Sequence, residues 1–202
     1  MTKENQEQSA ERIENAATEL FARHGFDAVG VRDIARMASV PVSAINYYFG
    51  SKDALYRECT RKLTADYVRQ ARAKADAGAG LGEMLTHYLE TAGQDSKLTK
   101  LWLDLQLSGD ADARAYSNRE VLGPVWKVLS EALSRDGSDS VDRRLEVLAF
   151  VGAVVLDAVL TDDQMHSILK APPTEARGLW RQEILAKLVP QQAAEKAEQA
   201  SF

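Results

Sequence analysis

The chain has one cysteine, Cys59, in 202 residues, so it can form no internal disulfide, and at this length it needs none to hold a core. With no resolving partner and no cationic helix start beside it, Cys59 reads as a small core hydrophobe rather than a redox sensor. The three histidines, His24, His87 and His166, are scattered, and there is no HExxH, no CxxC and no phosphate-cradling glycine loop. No catalytic residue, metal site or cofactor is therefore expected, and the chain is not expected to be an enzyme. The DDQMH stretch puts Asp162 and Asp163 within helical reach of His166. It reads first as a capped, solvated helix end, with metal binding left open. Long apolar runs are missing too: the longest without charge, Val147 to Leu156, falls well short of the roughly 20 residues that span a bilayer. The first ten residues are polar and no leader-like apolar segment follows, so the expectation is a cytoplasmic protein with no membrane partner.

Positive charge is in short supply overall: 25 Lys and Arg face 30 Asp and Glu, a net charge of −5. The deficit is uneven. Residues 28 to 62 hold six cations (Arg32, Arg36, Lys52, Arg57, Arg61, Lys62) against three acids, a local +3 on an otherwise acidic chain. Such a patch is compatible with nucleic-acid binding through positioned contacts, though alone it carries little weight.

What is present is helical periodicity. Apolar residues make up 45% and charged residues 27%, as in ordinary globular domains, and no stretch alternates as a strand would, so an all-α fold is expected. A first helix from Ser9 to about His24 places Ile13, Ala16, Ala17, Leu20 and Phe21 on one stripe, with Gly25 where a helix wants a left-handed residue. Val31, Ile34, Ala35 and Ala38 then give one buried face to a short helix. The turn SVPV stops it, because Pro41 disfavours helix at Val40 and suits a first turn of its own. A second short helix buries Ile45 and Phe49, and Ser51 caps a long helix expected to reach about Ala75. Two short helices joined this way form a helix-turn-helix whose second member can enter a DNA major groove.

The segment AINYYFGSKDALY, preceded by VRDIARMASV and AATELFARHGFDAV, resembles the N-terminal DNA-binding domain of the TetR family of transcriptional regulators, of the AcrR-like kind, over Arg12 to Leu63. The resemblance implies an N-terminal three-helix helix-turn-helix DNA-binding domain, residues 9–55, followed by a C-terminal helical ligand-binding and dimerisation domain, residues 56–190. The tails, 1–8 and 191–202, are expected to be disordered. It further implies a homodimeric repressor on a palindromic double-stranded DNA operator, released by a small apolar or aromatic effector. The alternative is an all-helical protein-interaction module without operator binding. The sequence departs from the family pattern at Gly30, where a capping Thr or Ser is common, and at Ser39, where Gly is common. Ser39 can make that turn at some cost if it must take positive φ.

On this reading Arg32 contacts a guanine edge or a phosphate, Lys52 contacts a backbone phosphate, Val42, Ser43, Ala44 and Asn46 approach base edges, and Tyr47 bonds phosphate. Tyr48 either joins them or packs beneath the motif. Beyond residue 80, helices are expected at Leu81 to Thr91, Ser96 to Leu107 and Asp112 to Arg135, the last kinked near Glu120 to Gly123 by Pro124. Met84, His87, Tyr88, Trp102, Tyr116, Trp126 and Phe150 lie on helices that surround a ligand cavity in this family; each taken singly reads first as plain core, and together, beside the Pro124 kink, they suggest a cavity for an apolar or aromatic molecule. Past a loop DGSDS with Asp139 as cap, a helix from Ser140 to Leu160 is apolar almost all round and needs cover on both sides. Ala149, Gly152 and Ala153, with Trp180, Ile184 and Leu188 of a last helix from Thr174, are the expected dimer interface.

Overall fold

The computed structural model describes residues 3–94, 96–135 and 140–188. Among these, all regular structure is helical: α1 (Lys3–His24), α2 (Val31–Ala38), α3 (Val42–Phe49), α4 (Lys52–Asp76), α5 (Leu81–Gln94), α6 (Lys97–Leu107), α7 (Ala111–Ser117), a π turn (Asn118–Leu122), α8 (Gly123–Arg135), α9 (Val141–Val159), α10 (Asp162–Leu169) and α11 (Pro173–Leu188). The expected all-α class holds. The residues divide into two compact units, Met1–Tyr67 with Ser96–Val125, and Val68–Asp95 with Trp126–Phe202. This division by packing differs from the functional division expected between residues 55 and 56.

In the first unit α1, α2 and α3 pack together and α6 lies on α1. Ile13, Ala17, Phe21, Ile34, Ile45, Leu55, Tyr56 and Leu101 fill its core. α1 starts at Lys3 rather than Ser9, so residues 3–8, expected in a disordered tail, are helical. It ends as expected, with Gly25 at φ 79° and its N–H bonded to the Phe21 carbonyl at 2.8 Å. After α2, Ser39 adopts φ 54°. Its N–H meets the Arg36 carbonyl and the Val40 N–H meets the Ala35 carbonyl, which is the bond pattern of a Schellman ending usually made by glycine. The left-handed conformation costs a non-glycine residue about 1–2 kcal/mol. Gly30 caps α2 with extended backbone and no side-chain bond, whereas the Ser51 hydroxyl accepts from the Ala54 N–H at 3.0 Å to cap α4.

Pro124 does not break its helix. It lacks the N–H that would reach the Glu120 carbonyl, and the chain absorbs the loss one turn earlier as the π turn, where the Gly123 N–H reaches the Asn118 carbonyl. A Cβ at Gly123 would stand 3.2 Å from that carbonyl oxygen, so the glycine makes the wide turn possible.

In the second unit α5 and α11 both pack on α9, and α10 packs on α11. α9 turns Val147, Phe150, Ala153, Val154 and Asp157 inward. The DDQMH stretch, expected as a capped, solvated helix end, opens a separate short helix, α10. A capping box opens it, Thr161 Oγ1 accepting from the Gln164 N–H while the Gln164 side chain accepts from the Thr161 N–H. Within DDQMH, Asp162 pairs with Arg177 at 2.7 Å and His166 Nδ1 bonds the Ala171 carbonyl. No group of three metal-ligand side chains comes together among the described residues. Asp139 lies outside the described residues, as does residue 191 onward.

Candidate nucleic-acid interface

At about 100° per residue, the eight residues of α3 separate into two sides. Ile45 is fully buried, and Ala44, Tyr48 and Phe49 are packed against the same core. Val42, Ser43, Asn46 and Tyr47 face out, Tyr47 at 71% exposure. The expected contact residues of α3 are therefore not all together: four share the outward face, while Ala44 and Tyr48 stand on the other side. The Tyr48 ring meets Tyr47 edge-on at 5.0 Å, so Tyr48 packs beneath the motif and steadies its exposed neighbour.

The cations of residues 28 to 62 differ in what they have left to offer. Arg36 pairs with Asp33 at 2.6 Å, Arg57 with Asp53 at 2.9 Å, Lys62 with Glu14 at 2.7 Å, and Arg61 with Glu58. The hydrogen bond from Arg61 pulls the Glu58 carboxyl below its ordinary pKa. The pairs on the surface, Arg36–Asp33 and Arg61–Glu58, contribute at most about 1 kcal/mol each, while Lys62–Glu14 is part-buried. Arg32 alone of the six is exposed with no side-chain partner among the described residues. Lys52 is more deeply engaged. Its Nζ donates to the Phe26 carbonyl at 2.9 Å and the Val29 carbonyl at 3.1 Å and lies 4.1 Å from the centre of the Phe26 ring. Two of its three N–H donors thus hold the α1–α2 loop.

That loop has a second tether, which the sequence reading missed. The Phe26 N–H donates to Asp104 Oδ2 of α6 at 2.8 Å, and the Tyr56 hydroxyl of α4 lies 3.0 Å from the same oxygen and 2.9 Å from the Leu101 carbonyl. Burial and the neighbouring Asp104 carboxylate push the Tyr56 phenol far above its ordinary pKa, so it remains a donor. The one available signal was that Asp104 is the sole charge in LWLDLQL.

The expected ligand residues fall in both units. Trp102 and Tyr116 belong to the first, where the Tyr116 hydroxyl donates to the Arg57 carbonyl at 2.8 Å under the Arg57 guanidinium. Met84, His87, Tyr88, Trp126 and Phe150 belong to the second. There Met84 and Phe150 are buried, and the Tyr88 and Phe150 rings are 6.4 Å apart. His87 lines an open cavity of about 600 Å³ with Lys74, Glu83, Thr86 and Glu90. Its buried Nε2 has no partner, and desolvation lowers its pKa. Of the expected dimer residues, Ala149 and Gly152 face out, Ala153 is buried in its own unit, and Trp180 and Ile184 are half-buried. The side chain of Leu188 lies outside the described residues.

Residues 13–59 match the family model described as bacterial regulatory proteins, tetR family. The transcriptional regulatory protein RaaS of Mycobacterium tuberculosis is 42% identical over 64 residues, 32% of this chain and 29% of that one. The transcriptional regulator BetI of Agrobacterium fabrum is 34% identical over 85 residues, 42% of this chain and 41% of that one. The chain thus aligns with less than half the length of these curated relatives. Over most of its length the fold is shared with the transcriptional regulator FadR of Bacillus subtilis, solved with stearoyl-CoA (TM-score 0.68, 20% identity, 89% of this chain and 97% of that one). FadR of Bacillus halodurans is similar, at TM-score 0.64 and 20% identity over 91% and 97% of the two chains. Residues 13–59 thus form a helix-turn-helix segment of the tetR family type of bacterial regulatory proteins, and the all-helical fold around that motif is one that solved transcriptional regulators share.

Proposed function

We propose that the chain is a homodimeric repressor that binds a palindromic DNA operator through α3 and is released by a small apolar or aromatic ligand. The observation that carries the DNA reading is the outward face of α3, Val42, Ser43, Asn46 and Tyr47, together with the exposed Arg32 of α2, which has no side-chain partner among the described residues. Asn46 suits the paired donor and acceptor of an adenine edge, Val42 suits a thymine methyl, and Arg32 suits guanine. With so few polar readers, operator shape contributes to recognition as well. In a two-fold dimer the α3 helices enter successive major grooves about 34 Å apart, and the ligand acts by favouring a state with another spacing. Support for a ligand site comes from the Tyr88–Phe150 pair and the unpartnered His87 nitrogen in the second unit. A fold neighbour solved with stearoyl-CoA adds to it. Selection of duplexes from a random pool tests the reading: a palindrome is expected, and a pool that never enriches defeats it.

Two substitutions separate base reading from backbone contact. Arg32→Ala should cost about 1–3 kcal/mol on the selected operator and much less on random duplex, since its guanidinium reads a base edge. Equal losses on both would make it a phosphate contact only. Lys52→Ala should weaken binding to all duplexes alike and lower the slope of log affinity against log salt by about one. The variant should also unfold at lower urea, because two carbonyls lose charge-assisted bonds worth about 1.5–3 kcal/mol each. An unchanged salt slope would confine Lys52 to holding the loop.

A further inference from the structure

The Phe26 peptide is held from both ends: its N–H by Asp104 of α6 and its carbonyl by Lys52 of α4. Phe26 lies in the short loop between α1 and α2, and Val29, at the far end of that loop, gives Lys52 its second carbonyl. The Phe26 ring stacks edge-on against Tyr56 at 5.1 Å, and Tyr56 shares the Asp104 oxygen. One carboxylate of α6 therefore joins the entry to the helix-turn-helix to the first turns of α4. We infer that Asp104, outside the DNA-binding sequence, is a positioning residue that sets the pose of α2 and α3 by fixing the Phe26 peptide. This inference rests on the DNA-binding reading above.

The physical case is one of geometry rather than charge. A carboxylate oxygen accepting from a backbone N–H at 2.8 Å and facing a phenol at 3.0 Å has little freedom, and both partners are partly or fully buried. A displacement of α6 along its axis must either break these bonds or carry the α1–α2 loop with it. α6 thereby has a direct grip on the motif that does not run along the length of α4. An ionised carboxylate has no donor to offer a phosphate, so the loss of Asp104 removes no phosphate contact.

The test compares wild type with Asp104→Asn, Asp104→Glu and Asp104→Leu on the duplex recovered by selection, measuring affinity against salt and hydrogen exchange at the Phe26 amide. Asparagine keeps an acceptor in place and should retain most of the affinity. Glutamate keeps the charge but displaces it by a methylene, and leucine removes the acceptor. Both should bind about tenfold or more weakly with an unchanged salt slope, as expected when a buried N–H loses its acceptor. Exchange at Phe26 should quicken in both while Gly50, bonded to Asn46 within the motif, stays protected. If leucine unfolds the unit, the asparagine and glutamate pair still decides. Glutamate binding as wild type does, or a salt slope that falls with affinity, overturns the inference alone. A wild type that binds no duplex overturns the DNA reading and this inference with it.

Discussion

Arginine in place of Gly152 should give a folded monomer that no longer holds operator DNA. The exposed side of α9 carries Leu145, Leu148, Leu156 and Val159 at 57%, 55%, 46% and 53% exposure, with Ala149 and Gly152 among them. These positions recur at three and four residues, so they form one face, opposite the face that packs inside the unit. A soluble chain rarely leaves such a stripe wet, and covering a Leu or Val fully gains about 1.5–3 kcal/mol each. Gly152 gives the experiment its discrimination. A Cβ built there meets nothing within 4 Å among the described residues, so a side chain at this exposed position starts out into open space. Replacing a mid-helix glycine by a good helix former should even stabilise the monomer, by about 0.5–1 kcal/mol. Any defect in the Gly152→Arg variant must then lie between copies. Losing the dimer means losing simultaneous engagement of two half-sites, which is worth about 10²–10⁴ in apparent affinity. Sedimentation at micromolar concentration checks the result, with Gly152→Ala as a control that stays dimeric. A monomeric wild type, or an arginine variant that remains dimeric, defeats the interface. Ala153 belongs to a different argument, because it is buried at 6% exposure and enlarging it would overpack the core.

Removing Arg177 and Arg181 together should destabilise the second unit by about 3–5 kcal/mol, the cost of leaving a buried carboxylate without its cations. Asp157 of α9 is 2% exposed. Arg181 Nη2 of α11 reaches its Oδ2 at 2.9 Å and Arg177 Nη1 reaches its Oδ1 at 3.1 Å. Arg177 also donates to the Leu160 carbonyl at 2.6 Å and to the Asp157 carbonyl, closing the C-terminal turn of α9. The two guanidiniums keep 25% and 28% exposure, so they can turn to water when the acid is removed, whereas the acid cannot when they are removed. Asp157→Leu should therefore cost less than Arg177→Ala with Arg181→Ala. Urea unfolding followed by circular dichroism measures both. A double variant as stable as wild type, or the reverse order of the two, defeats the account.

Local features of this fold were largely readable in advance. The end of α1 and the starts of α3 and α4 follow from Gly25, Pro41 and Ser51, since capping and turn preferences act over a few residues. The clean split of α3 into two sides was readable as well, because the periodicity alone places Ala44 and Tyr48 with Ile45. α10 also had its signal, Thr161 three residues before Gln164, but at eight residues the apolar period was too brief to see. Asp157 stood out as the lone charge of its helix after Glu146, yet its partners lie 20 and 24 residues further on.

What the sequence determined by itself was the all-helical class and a helix-turn-helix of the tetR family type at residues 13–59, because these rest on side-chain patterns repeated over short spans. Tertiary structure decided which cations are free, what Lys52 and Asp104 hold, and which side of α9 is left uncovered. The Lys52 and Asp104 bonds end on backbone groups of Phe26 and Val29, and a backbone N–H or carbonyl is the same in every residue, so no residue type announces it. The uncovered side of α9 has the same cause in another form: an apolar residue looks alike in sequence whether its neighbours bury it or leave it in water, and only the packing of α5 and α11 against one side of the helix distinguishes Phe150 from Leu148.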